Sequence, residues 1–107
     1  MKVTKKLTAV ALVMMEQPGG RYWAYDLARR AHVSLAALYP MLTRMLDEGW
    51  VEDHWQPDVE GRGRPARRMY TLTEQGRSEL GGIAAQAPAT LRGRALGTAH
   101  GRGLAGA

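Results

Sequence analysis

Arg62, Arg64, Arg67 and Arg68 place four guanidinium groups within seven residues. A guanidinium is a planar, permanently charged fork that matches phosphate or carboxylate oxygens, so the cluster suits a polyanionic partner. Pro57, Gly61, Gly63 and Pro65 surround these arginines and prevent a helix from presenting them as one stripe. An exposed loop can instead spread them along phosphates. Arg62, Arg64 and Arg67 are therefore candidate phosphate contacts. Upstream, Ser34, Ala36, Ala37 and Thr43 are small enough to let a helix approach base edges, while Tyr39 and Arg44 reach beyond them. Arginine can donate to guanine or phosphate, and tyrosine can donate its hydroxyl to phosphate or stack. Taken singly, the first group reads as a solubilising loop and the second as a solvated helix face. Their occurrence in one short chain points to double-stranded DNA.

The charge distribution agrees. Fifteen Lys and Arg against ten Asp and Glu give a net charge of +5, which favours anionic partners. Residues 1 to 60 carry seven basic and eight acidic groups, whereas 61 to 107 carry eight and two. The anion-facing surface is expected late in the chain. At 107 residues without cysteine, there is room for one small domain and no disulfide framework, thiolate zinc site or cysteine nucleophile. Self-association is the remaining way to enlarge a modest core, so a homodimer is expected.

Periodicity supplies the elements that must position these residues. Leu7, Val10, Ala11, Met14 and Met15 share one face of a first helix over roughly residues 3 to 16. A Pro18-Gly19-Gly20 turn follows, then a short helix marked by Leu27, Ala28 and Ala31, with Arg29 and Arg30 outward. Ser34 caps a third helix with a stripe of Leu35, Leu38, Leu42, Met45 and Leu46, and Gly49 ends it. Trp50 to Trp55 and Arg68 to Leu72 are rich in aromatic and β-branched residues and read as paired strands. Their alternation sends Arg68, Tyr70 and Leu72 to one side, making Tyr70 and Leu72 core and giving Arg68 a structural role. Thr73 caps a fourth helix; the capping box that Glu or Gln would complete has Gly76 in that place. From Gly81 onward, fifteen of 27 residues are Gly or Ala, although Leu80, Ile83, Ala87 and Leu91 keep a helical spacing.

The expected fold is mostly α with a small β-ribbon: a winged helix-turn-helix with a three-helix core, a two-stranded wing and a C-terminal helix. Residues 1 to 80 would form the DNA-binding domain and 81 to 107 a Gly/Ala-rich segment, partly helical or disordered, available for dimer contact. Other chemistries lack context. Gly101-Arg102-Gly103-Leu104-Ala105-Gly106 has the spacing of a dinucleotide loop but no room for its helix. His32, His54 and His100 have no second ligand at metal spacing, and Asp47-Glu48 and Glu52-Asp53 fit a solvated helix end and strand face. No cofactor, metal or catalytic residue is expected. The apolar run Leu7 to Met15 lacks a following cleavage site and is too short for a bilayer span. A cytoplasmic protein without a membrane partner is expected. Two rivals remain: a winged-helix module whose arginine loop meets an acidic protein, and a nonspecific nucleic-acid binder using Arg92, Arg94 and Arg102.

Two segments bear a specific likeness. Ser34-Leu35-Ala36-Ala37-Leu38-Tyr39-Pro40, and Gly63-Arg64-Pro65 leading to Tyr70-Thr71-Leu72-Thr73-Glu74-Gln75-Gly76, resemble the PadR family of bacterial transcriptional regulators over roughly residues 7 to 80. The resemblance implies a homodimeric winged-helix repressor on a roughly palindromic operator. It matches Ser34, Tyr39, Arg44 and Arg64 to the family's DNA-facing positions. Met69 replaces a frequent tyrosine, and the Gly81-Gly82 segment stands where family members continue into long dimer-building helices. A small-molecule effector gains no support, since Trp23, Trp50 and Trp55 all precede that segment.

Overall fold

The computed structural model describes residues 1–56 and 67–92. Its elements run α1 (Lys5–Met14), β1 (Tyr22–Trp23), α2 (Ala24–Ala31), α3 (Leu35–Glu48), β2 (Val51–Gln56), β3 (Arg67–Leu72) and α4 (Glu74–Ala85). A further helical turn occupies residues 89–92. α1 packs against both α2 and α4, which explains why every residue from Leu7 to Met14 is buried and not one stripe alone. Thr4 caps its start, its hydroxyl accepting from the Leu7 amide at 3.1 Å. Tyr22 closes its other end. The buried phenol lies 2.9 Å from the carbonyls of both Met14 and Gln17, satisfying acceptors that a helix terminus and turn leave open. Burial pushes the Tyr22 hydroxyl pKa upward, against the opposing hydrogen bond to Gln17.

The sheet differs from the two-stranded expectation. β1 adds a third strand, in the order β1-β3-β2, with both neighbours antiparallel to the central β3. Tyr22 pairs with Tyr70 and Trp23 with Met69, while β2 runs from Val51 opposite Leu72 to Gln56 opposite Arg67. A two-residue strand is too short to express a period-2 pattern, so its sequence carried no strand signal. Its consequence is local: it covers β3, and Met69 is buried although it points away from Tyr70 and Leu72.

The junction between α3 and the sheet is tightly specified. Ser34 caps α3 by accepting from the Ala37 amide at 3.1 Å. Gly49 ends it in the left-handed region at φ 77, where a residue without Cβ carries little strain. Leu38, Leu42 and Met45 form the buried stripe, while Leu35 and Leu46 are half-buried at its margins. Thr73 then joins three elements: its hydroxyl donates to the Gly49 carbonyl at 2.6 Å and accepts from the Gly76 amide at 3.0 Å, and its amide reaches the Trp50 carbonyl at 3.0 Å. Gly76 has a different task from completing a capping box. A Cβ there would lie 1.9 Å from the Trp50 carbonyl oxygen, so α4 and the start of β2 approach as closely as they do only because that position is bare. α4 continues through Gly81 and Gly82 to Ala85.

Candidate nucleic-acid interface

Helix α3 buries one side and leaves the other open. Ala36, Tyr39 and Thr43 lie at i, i+3 and i+7, and Ala37 and Arg44 lie at i and i+7 beside them. Ser34, Ala36, Thr43 and Arg44 are exposed, Ala37 is half-buried, and Tyr39 is 49% exposed. Pro40 sits within the exposed side and removes the amide that would bond the Ala36 carbonyl. Arg44 meets Glu48 at 3.4 Å on the same helix. Exposed i,i+4 pairs stabilise by only about 0.3–0.5 kcal/mol, so this partner leaves the guanidinium available to a stronger anion.

The strands bring a second group beside that helix. Arg67 opens β3 with its guanidinium 4.5 Å from the Trp23 ring centroid. Arg68 occupies the other side of the strand, where both Arg68 Nη2 and Nε reach Asp53, at 2.6 and 2.9 Å. Its guanidinium also faces the Tyr70 and Trp55 rings at 5.4 and 5.9 Å. The hydrogen bond from Arg68 lowers the pKa of Asp53 and raises that of Arg68. Arg68 is thus committed to the base of the wing, as strand alternation and the burial of Tyr70 and Leu72 anticipate. Tyr70 has its pKa raised by burial, with Arg68 opposing the shift.

Tyr39 and Arg67 line one cleft of about 720 Å³ between α3, α2 and the sheet. Trp23, Tyr25 and Trp55 join them there, and the sequence offered little warning of this. Trp23 and Tyr25 enter through the unpredicted β1 and the first turn of α2, which begins three residues before its first periodic leucine. Arg29 lines the same cleft and pairs with Asp26. Arg62 and Arg64 lie outside the described residues. Among the described residues no three His, Asp or Glu side chains gather as a metal site, and no helix is long and apolar enough to cross a membrane.

An exposed third helix flanked by a β-ribbon defines a winged helix-turn-helix. The family model described as the Transcriptional regulator PadR-like family matches residues 13–82, and the chain belongs to that family. It is a family of transcriptional regulators and not a class of enzymes. Bacillus subtilis PadR in complex with operator DNA has a similar fold, with TM-score 0.60 and 21% identity over 77% of this chain and 48% of that one. Lactococcus lactis ZitR in complex with DNA gives 0.57 and 16%, covering 94% and 60%. Pex from Synechococcus sp. gives 0.58 and 29%, covering 88% and 83%. The chain therefore spans about half to three fifths of the length of the PadR and ZitR chains. Among curated proteins none matches it significantly.

Proposed function

We propose that this DNA-binding transcriptional regulator is a repressor that binds a roughly palindromic operator as a homodimer, with α3 of each protomer in a major groove. The observation that carries this reading is the exposed side of α3 from Ser34 to Arg44, standing beside the cationic start of β3. Small residues at Ser34, Ala36, Ala37 and Thr43 let the helix approach base edges, Arg44 and Tyr39 supply donors, and Arg67 meets the phosphate backbone with Arg62 and Arg64 from the wing. Two symmetric half-sites should lie about one helical turn, roughly 34 Å, apart.

Footprinting on the DNA upstream of its own coding sequence tests the proposal. A protected pair of inverted half-sites supports it; uniform protection without half-sites would leave only nonspecific duplex binding and refute the operator reading. Sedimentation of the complex at rising protein concentration tests the stoichiometry, two protomers per operator being expected. Transcription from the same template in the presence of the protein should fall as the footprint fills, and a rise would reverse the assigned sign.

A further inference from the structure

Four of the five exposed large hydrophobic residues among the described residues, Trp23, Tyr25, Tyr39 and Trp55, line the single cleft between α3 and the sheet. A solvated surface has no reason to gather them. Tyr25 is 69% and Trp55 64% exposed, so their rings remain open to a partner instead of filling a core. The charges of the lining complete the pattern. Of the arginines in the lining, Arg29 pairs with Asp26 and Arg68 with Asp53, while Arg67 lies against the Trp23 ring and gives the rim its anion preference. Intact duplex DNA offers phosphates to such a rim but keeps its bases stacked, which leaves the aromatic faces unused.

We propose that this cleft accepts an unpaired nucleotide of a single strand, the base lying against Trp55 or Tyr25 and its phosphate meeting Arg67. Flat aromatic faces beside a cationic groove recognise single-stranded nucleic acid, because every base has a π-face and each stacked base contributes on the order of 1–3 kcal/mol. A volume of about 720 Å³ accommodates a base with its sugar and phosphate. The Asp53 carboxylate holds Arg68 at the wing base, so Arg68 stays beside the Trp55 ring while the ion pair adds no net charge, and Arg67 carries the attraction for phosphate. The proposal reaches beyond duplex recognition but shares Tyr39 and Arg67 with it, and the two binding modes should exclude one another.

Tryptophan fluorescence of the full chain, titrated with a twelve-residue oligothymidylate, tests it. Quenching that saturates is expected, and Trp55→Ala and Tyr25→Ala should each weaken affinity roughly five- to 100-fold while thermal melting shows both variants folded. An oligouridylate titrated in parallel separates the sources: equal affinity assigns the cleft to unpaired nucleotides of either kind, and a preference assigns it to the tighter strand. Absence of saturable quenching by both oligomers overturns the proposal. So does binding that both cleft variants retain but that is lost on changing Arg94 and Arg102 to Ala. An operator duplex measured alongside makes the readings fail separately. Loss of single-strand binding with duplex binding intact removes this inference alone, and the opposite result removes the duplex reading while this one stands.

Discussion

Replacing Gly76 by Ala should destabilise the fold through one contact, and the same change at Gly82 in the same helix should do the reverse. At Gly76 the new methyl carbon would meet the Trp50 carbonyl oxygen at 1.9 Å and its carbonyl carbon at 2.7 Å. Both atoms are backbone, so relief requires moving the start of β2 or the first turn of α4 by at least about 1 Å, since a Cβ essentially never comes within 3.0 Å of such an atom. Overpacking of this kind costs about 3 kcal/mol at the upper end of the usual range. The displaced carbonyl also accepts from the Thr73 amide, a bond whose loss adds about 1 kcal/mol. Alanine's better helix propensity offsets only about 0.8 kcal/mol. The net expectation is roughly 3 kcal/mol of destabilisation, about 12 °C or more in Tm for a domain of this size. At Gly82 nothing lies within 4 Å of the added carbon. The propensity gain of about 0.8 kcal/mol should then appear unopposed, raising Tm by about 3–6 °C. Calorimetric or circular-dichroism melting of the two variants at matched protein concentration reads both effects. Equal Tm changes of the same sign would refute the argument from close approach.

Three further outcomes follow from the same geometry. Tyr22→Phe removes the donor that serves the end of α1 and should cost about 1–2 kcal/mol in denaturant unfolding, with unchanged secondary structure by circular dichroism; an unchanged midpoint would discount that hydrogen bond. Burial raises the pKa values of Tyr22 and Tyr70 in the folded chain, so their protonated forms favour folding below the unfolded value near 10, and this contribution should disappear as pH rises through the higher folded values. The Asp53 shift has the opposite sense: its pairing with Arg68 supports the wing above the usual aspartate range and is lost as pH falls through the lowered folded value. Melting across pH 2 to 12 checks both limbs, and Asp53→Asn should remove the acid contribution from Asp53. Glu48→Gln frees Arg44 from an exposed partner and removes a negative charge from the last turn of α3; operator affinity should rise about two- to fivefold, whereas a fall would give Glu48 a positioning role.

The legible parts of the fold are those where a repeated pattern meets a punctuation residue. α3 could be delimited from Ser34 to Gly49 because a cap, a leucine stripe and a left-handed glycine all agree. The structural duty of Arg68 also followed from alternation, since Tyr70 and Leu72 claim the buried side of β3. β1 escaped notice because two residues contain no period, and with it went the aromatic wall contributed by Trp23 and Tyr25. Gly76 escaped for another reason: its importance resides in the approach of Trp50, a residue 26 positions earlier, and capping rules weigh only neighbours along the chain. Of the candidate contacts, exposure of Ser34, Ala36, Tyr39, Thr43 and Arg44 could be inferred from helical spacing. The meeting of Tyr39 with Arg67 in one cleft depends on how strand and helix pack, which no local pattern encodes.

The salt dependence of affinity for an operator duplex tests the central claim most directly, by comparing the natural chain with Arg67→Ala. If a dimer neutralises about eight phosphates through α3 and both wings, log affinity should fall with log salt at a slope near −7, and removing one arginine per protomer should flatten it by about 2. An unchanged slope would place Arg67 outside the interface, and an absence of saturable duplex binding at low salt would contradict the DNA-facing assignment of this surface altogether.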